Sequence, residues 1–209
     1  MKDRWILIAG GLVAAFLLFA GWLLLPGKSG EAEFAQCRKA VVAGGIGNLG
    51  GPFELTSETG ARVKDTDVFT KPTLLYFGYS YCPDVCPIDS ARNAQAADDL
   101  AERGIDTQTV FLTVDPRRDT PARLTEYTDG LHPDMLGLTG SEAEIDQVAK
   151  AWSFYYKRND ETDKLDYSVD HQTTTYLVLP GHGTVDFFGR ATTPEEIADT
   201  VQCYVNAAG

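Results

Sequence analysis

The sequence predicts one α/β domain with a single mixed sheet and helices on both faces, preceded by a membrane-spanning helix. Two continuous apolar runs, residues 73–79 and 109–114, are typical of buried strands. Each run is followed by a segment with helix-start signals. A third, longer apolar run near the N-terminus carries no charge. With 209 residues, the chain has room for one ordinary domain and a short addition.

The elements follow in order along the chain. Residues 53–56 and 61–63 flank Gly60 and predict an N-terminal hairpin. Residues 73–79 form the first buried strand, and the Ala-rich helix 87–103 after it is stopped by Gly104. Residues 109–114 are the next buried strand. Together these segments predict a hairpin followed by a strand–helix–strand unit.

The second half of the domain continues the alternation. Thr120 and Pro121 open a helix to about residue 129, and residues 135–138 suit a short strand. The capping box at residues 141–144 opens a helix to residue 155, and the one at 193–196 opens a helix to 206. Between them, residues 173–179 and 185–188 form a hairpin. This order predicts a thioredoxin-like mixed sheet with helices on both faces.

The net charge excludes one large class of partner. Eighteen Lys and Arg residues stand against 30 Asp and Glu residues, which gives a formal charge of −12. That sign opposes binding to a phosphate backbone, so we expect no nucleic acid partner. Four cysteines are too few for a disulfide scaffold and enough for one reactive site and one bridge.

Residues 5–25 predict a transmembrane anchor. The run contains no charged residue, and a helix needs about 20 residues to cross the hydrocarbon core. Lys2 and Arg4 precede it, so residues 1–4 are expected in the cytoplasm and the rest of the chain outside. A cleaved signal peptide is the alternative, although its apolar region is normally only about 7–15 residues.

Residues 26–49 predict a linker between this anchor and a domain at residues 50–209. The first part is small and polar, and the second is rich in glycine. Gly45, Gly47 and Gly50 formally match a dinucleotide-binding motif. No helix start follows them, since the next residues are Gly51 and Pro52, so we interpret the segment as flexible.

Cys82 and Cys86 form the candidate reactive site, just after the first buried strand. Ligand sites in open α/β sheets lie at the carboxyl ends of strands. Spacing by four residues could bring both sulfurs to one helix face, with Pro87 at the first helical position and a dipole that favours the Cys86 thiolate. The spacing differs from the C-x-x-C of thioredoxin. A buried cysteine pair or a plain disulfide remains an alternative.

A third ligand is sought among the three histidines. His132 and His182 fall in predicted turns and are interpreted as exposed turn residues. His171 stands at the start of the strand predicted from residue 173, where it could hang over the sheet end near Cys82. On spacing alone, a role as a metal ligand and a structural role are about equally favoured.

The chain resembles the SCO/SenC family of copper metallochaperones in several motifs. These are YFGYSYCPDVCP at residues 76–87, VDPRRDT at 114–120, DHQTTTYLV at 170–178 and GGPF at 50–53. The resemblance covers about residues 50–206. It implies a thioredoxin-like fold, a membrane anchor, and one copper held by Cys82, Cys86 and His171. Ser80 and Tyr81 replace a Thr-His pair that is common in the family.

The chemistry of these residues agrees with copper. Two thiolates and an imidazole suit Cu(I) and can also hold Cu(II). Zinc fits the ligand types but usually takes a fourth ligand. Asp115, at the end of the neighbouring strand, is a candidate support behind the ligands, where it would orient a ligand or steady a loop. Capping of the following turn is an equally favoured role for it.

Cys37 and Cys203 are the two cysteines outside the candidate metal site, and we predict that they form a structural disulfide. Cys37 lies just before the domain and Cys203 in the last helix, so in an oxidising compartment a bridge would pin the leading segment to that helix. Two free thiols and an intermolecular link stay open, because pairing cannot be deduced from sequence.

The resemblance implies delivery of copper to the binuclear copper centre of cytochrome c oxidase. The expected partners are its copper-bearing subunit, other copper carriers or thiol reductants, and the membrane. The expected location is the bacterial inner membrane with the domain in the periplasm, or the mitochondrial inner membrane facing the intermembrane space. An alternative is a thiol–disulfide oxidoreductase with Cys82 and Cys86 as catalytic residues, and another is a copper or redox sensor. A metallochaperone would not be an enzyme.

Overall fold

The computed structural model describes residues 34–38, 46–159 and 166–209. Nine strands lie in these ranges: β1 Glu54–Ser57, β2 Arg62–Lys64, β3 Thr73–Gly78, β4 Gln108–Thr113, β5 Met135–Thr139, β6 Tyr156–Arg158, β7 Val169–His171, β8 Thr175–Leu179 and β9 Gly183–Phe188. The same ranges hold five α-helices: α1 Asp65–Val68, α2 Val85–Glu102, α3 Pro121–Asp129, α4 Glu142–Ala151 and α5 Pro194–Ala208. A 3₁₀ turn covers Ile46–Asn48.

Seven strands form one mixed sheet in the order β2-β1-β5-β4-β3-β8-β9. The two central contacts, β3 with β4 and β4 with β5, are parallel, and the other four are antiparallel. Every residue of β3 and β8 is buried, as expected for strands covered on both faces. The predicted mixed sheet and the N-terminal hairpin β1–β2 are therefore confirmed.

Helices cover both faces of this sheet. On one face, the Tyr76 hydroxyl bonds to Asp89 of α2, and the Phe111 ring lies 4.8 Å from that of Tyr127 of α3. Helix α5 packs beside α2 on the same face. On the other face, Phe77 packs against Trp152, which directly follows α4, with ring centroids 6.1 Å apart. Because successive strand residues alternate, Tyr76 and Phe77 serve opposite faces.

Two helix boundaries differ from the sequence prediction. Helix α2 begins at Val85, so Cys86 is its second residue and Pro87 its third. Helix α4 ends at Ala151 and not at 155, because the chain turns through Ser153 at a φ of 50°. That turn lets Trp152 and Phe154 both enter the core beside Phe77. Burial of two aromatic rings outweighs continuation of the helix.

A small second sheet was not predicted. Strands β6 and β7 pair antiparallel, with Tyr156 opposite His171. His171 therefore lies on β7 rather than at the start of the strand predicted from residue 173, which begins at Thr175. Three-residue strands with mixed burial carry too little periodicity to be recognised in sequence.

The leading segment is tied to the last helix. Cys37 and Cys203 form a disulfide with Cα atoms 5.7 Å apart. Phe34 is buried with its ring 5.1 Å from that of Tyr204 on α5. The link spans 166 positions of sequence and closes most of the domain into one loop.

The predicted anchor at residues 5–25 lies outside the described residues, as do residues 1–4 and most of the predicted linker. Among the helices that the structure describes, none combines the length and hydropathy needed to cross a bilayer.

Candidate metal centre

Cys82 follows the carboxyl end of β3, and Cys86 lies in the first turn of α2. The Cys82 N–H donates to the Tyr79 carbonyl at 3.1 Å, which closes a turn directly after the strand. Gly78 ends β3 where a Cβ atom would come within 2.8 Å of the Phe111 ring, so only glycine fits there. Cys86 is fully buried, while Cys82 keeps 8% of its surface exposed.

His171 completes the cluster from β7. Its Nε2 lies 3.3 Å from the Cys86 sulfur, while its Nδ1 donates to the Gln172 carbonyl at 2.7 Å. That second bond places a proton on Nδ1, so Nε2 is the ring nitrogen that faces the cysteines and is available to bind a metal. The Tyr79 ring packs edge-on against the imidazole at 5.7 Å and restricts its rotation.

These three side chains form a candidate metal site. Their ligand atoms all lie within 4.8 Å of one another, and no fourth Cys, His, Asp or Glu joins the group within the described ranges. Bond lengths of about 2.0 Å to nitrogen and 2.3 Å to sulfur place ligand atoms roughly 3.5–4 Å apart around one ion. The cluster is thus near the size for a three-coordinate ion. His132 and His182 contact Asp98 and Phe34 instead.

The two cysteines are inequivalent. The pKa of Cys82 is lowered, chiefly by a hydrogen bond from the Cys86 thiol, with further bonds from His171 and from backbone N–H groups. The pKa of Cys86 is raised, chiefly because the Cys82 thiolate holds its proton and then by burial. The more exposed sulfur is therefore the thiolate of the metal-free pair. We expected the helix dipole to favour Cys86, but burial and the shared proton outweigh it.

Asp115 does not contact the cluster directly. Its carboxylate forms a buried ion pair with Arg118 and accepts the Tyr167 hydroxyl at 2.6 Å. The Arg118 guanidinium in turn lies 5.5 Å from the centre of the Tyr79 ring, which packs against His171. The Asp115 carbonyl also accepts two N–H groups of the following turn. Of the predicted roles, these contacts agree with steadying a loop rather than with orienting a ligand, and the turn is capped by the Asp115 carbonyl rather than by its carboxylate.

Sequence reasoning missed the residues that hold the cysteine loop. Buried Asp119 bonds to Ser80 in that loop and to the Thr113 hydroxyl of β4. Asp89 of α2 is buried below the site, where it accepts the Tyr76 hydroxyl. Asp119 and Arg118 both lie in the VDPRRDT segment, so that motif was the feature of the sequence that could have identified them. Nothing comparable marked Asp89.

Comparison with known proteins identifies relatives of this chain. Residues 43–206 match the SCO1/SenC family model. The chain is 55% identical to Protein SenC of Rhodobacter capsulatus over 175 residues, 84% of this chain and 78% of that protein. It is 37% identical to the mitochondrial SCO1 homolog of Homo sapiens over 159 residues, 75% of this chain and 53% of that longer protein.

Solved structures with the same thioredoxin-like fold include copper complexes. ScoI of Arabidopsis thaliana with copper bound is 39% identical, with a TM-score of 0.71 over 76% of this chain and 99% of that one. ScoI of Bradyrhizobium japonicum with copper bound is 36% identical, with a TM-score of 0.67 over 75% and 99% of the two chains.

Proposed function

The chain belongs to the SCO1/SenC family, and we propose that it carries copper, holding one ion through Cys82, Cys86 and His171. The structures of its relatives from Arabidopsis thaliana and Bradyrhizobium japonicum contain copper, which supports that choice of metal. In this chain the ion is cargo, taken up and later released, rather than a catalytic group.

The juxtaposition of two sulfurs and one imidazole nitrogen carries this proposal. Soft thiolates with a nitrogen donor favour copper, and Cu(I) accepts three ligands without strain. Zinc would require a further ligand, and the described residues supply none at the cluster. Binding displaces the Cys86 proton, so affinity increases with pH until that proton is lost.

The site is also built to release its ion. Cys86 anchors the ion in the interior, while Cys82 and the half-buried His171 lie toward solvent. An acceptor with more ligands can therefore replace the outer two first and the inner sulfur last. We propose the copper-bearing subunit of cytochrome c oxidase as the acceptor, an assignment supported by membership of the family.

Metal analysis of the reduced domain tests copper binding. One copper per chain is expected, with an intense thiolate-to-Cu(II) absorption in the oxidised metal form. Cys82→Ser, Cys86→Ser and His171→Ala should each weaken binding severely, whereas His132→Ala, remote from the cluster, should leave it unchanged. Full copper content in His171→Ala would disprove the three-ligand site.

One observation favours a second candidate function, thiol–disulfide exchange. Cys82 is a thiolate beside the Cys86 thiol, so it could attack a target disulfide, and Cys86 could then release the reduced target and close a Cys82–Cys86 disulfide. Such a cycle needs an external dithiol as reductant but no His171. In cells lacking the native chain, His171→Ala should leave oxidase activity low if the chain carries copper. Full activity with His171→Ala and loss with Cys82→Ser would favour exchange.

A further inference from the structure

In the part of the chain that the structure describes, the large hydrophobic residues that remain exposed all lie close along the backbone to a metal ligand. Within the described residues they are Tyr81, Ile88 and Tyr155, with 52%, 56% and 58% of their surface accessible. Tyr81 directly precedes Cys82, and Ile88 lies in the first turn of α2, two residues after Cys86. The Tyr155 carbonyl accepts the N–H of Gln172, the neighbour of His171. Each ligand residue therefore has an exposed apolar residue near it, within two positions in sequence or bonded to its neighbour through the backbone.

Tyr81 is held in a fixed position despite its exposure. Guanidinium groups of Arg118 and Arg123 lie 4.9 and 5.1 Å from the centre of its ring. Arg118 is fixed by its buried ion pair with Asp115, and Arg123 by hydrogen bonds to Ser80 and Glu126. A clamped aromatic ring loses little conformational entropy when a partner covers it. Tyr residues of this kind are favoured binding hot spots.

Charge at this surface is acidic between the two cysteines. Asp84 is exposed, and among the described residues its carboxylate has no ion-pair partner. Arg118 and Arg123, the cations that flank the Tyr81 ring, are each paired with a carboxylate. The chain as a whole carries −12. A partner with basic side chains around an apolar patch would therefore be attracted to this surface. Its cations would pair with the acidic charge, and its apolar patch would cover the exposed apolar residues.

We propose that Tyr81, Ile88 and Tyr155 form a docking surface for the copper acceptor, a protein with an apolar patch edged by Lys or Arg around its own ligands. The clamped Tyr81 is the anchor of this surface. The inference rests on the proposed carrier function and deepens it, because it separates residues that hold copper from residues that hold the acceptor. Docking around the cluster excludes water while Cu(I) passes from one set of ligands to the other, without any change in its oxidation state.

The test uses the reduced, Cu(I)-loaded chain and the copper-free soluble domain of the copper-bearing oxidase subunit. Tyr81→Ser, Ile88→Ser and Tyr155→Ser should leave copper stoichiometry unchanged and weaken binding to the acceptor domain by about tenfold or more each. The matched controls Tyr81→Phe and Ile88→Val keep the apolar surface and should bind as the native chain does. Asp84→Asn should reduce the salt dependence of the affinity.

The possible results separate the two proposals. Native-like binding and transfer by all three Ser variants would overturn the docking surface while leaving the carrier function intact. A native chain that holds copper but neither binds nor delivers to this domain would overturn both the acceptor assignment and the docking proposal. Loss of copper stoichiometry in the Ser variants would show that these side chains support the metal site instead, and would also overturn docking.

Discussion

The Asp119 carboxylate binds Ser80 twice: one oxygen accepts the Ser80 N–H at 2.9 Å, and the other accepts its hydroxyl at 2.6 Å. Ser80 lies two residues before Cys82, so this buried contact determines where the cysteine loop leaves the strand. The loop is thus attached to the β4–α3 connection rather than held by the cysteines alone.

We expect Asp119→Asn to weaken copper binding and to alter the pH dependence of stability. Burial raises the pKa of Asp119, although bonds from Ser80 and Thr113 oppose the shift. The folded chain therefore binds this proton more tightly than the unfolded chain does. The stability that this provides is complete below the ordinary carboxyl pKa and is lost as pH rises through the raised value.

Urea denaturation between pH 4 and 7 measures this difference. Asparagine does not titrate, so the native chain should lose stability relative to Asp119→Asn as pH increases. Asp129→Asn removes an exposed carboxylate and serves as the control for net charge. A constant difference between native chain and Asp119→Asn across this range would contradict the prediction.

Alkylation should distinguish the two cysteines of the metal-free chain. Because the pKa of Cys82 is lowered and that of Cys86 is raised, Cys82 should react first with iodoacetamide. Its rate should stay nearly constant well below pH 8, where an ordinary thiol slows. Mass spectrometry of digests identifies the modified residue. Faster modification of Cys86 would reverse the assignment of the thiolate.

Asp115→Asn should destabilise the fold by about 3–5 kcal/mol, because it leaves the Arg118 guanidinium buried without its carboxylate. The double variant Asp115→Asn/Arg118→Met also removes the buried guanidinium charge and should regain part of the loss. Urea denaturation of the native chain and both variants measures the difference. Equal stability of the single and double variants would show that the ion pair matters less than the packing around it.

Removal of the Cys37–Cys203 disulfide should cost stability without affecting the metal site. Closure of so long a loop is worth at most about 5 kcal/mol and often less in practice. Cys37→Ser/Cys203→Ser should therefore unfold at lower urea and still bind one copper. Non-reducing peptide mapping of the native chain should recover the linked peptides. Freely alkylatable Cys37 in that chain would refute the bridge.

Reporter fusions test the predicted anchor at residues 5–25. A reporter placed after Gly30 should be active outside the cytoplasm, because Lys2 and Arg4 hold the N-terminus inside. The full chain should also stay in membranes after a carbonate wash. Release of a shortened soluble chain would identify the segment as a cleaved signal peptide.

The sequence predicts the central sheet well because each buried strand and capped helix carries its own local signal. The apolar run that becomes β3 and the capping box at Ser141 need no tertiary context. Cys82, Cys86 and His171 were singled out by residue type and by the family resemblance. The strand carrying His171, and the part played by Arg118 and Asp119, depend on contacts between residues distant in sequence. The periodic spacing of apolar residues within one segment gives no information about such contacts.

The positions of the four cysteines restrict how the chain can be oxidised. Four cysteines allow three pairings, and each of the two alternatives would join both the leading segment and the last helix to the metal centre. The Cys37–Cys203 bridge lies at the other end of α2 from Cys86, since Gln202, the neighbour of Cys203, accepts a hydrogen bond from Arg103, which directly follows that helix. From Cys86 to the last residue of α2 the helix rises about 24 Å, far beyond disulfide reach. In the folded chain, Cys37 and Cys203 can therefore form a disulfide at one end of α2 while Cys82 and Cys86 remain thiols at the other end. The two alternative pairings can form only before α2 has folded.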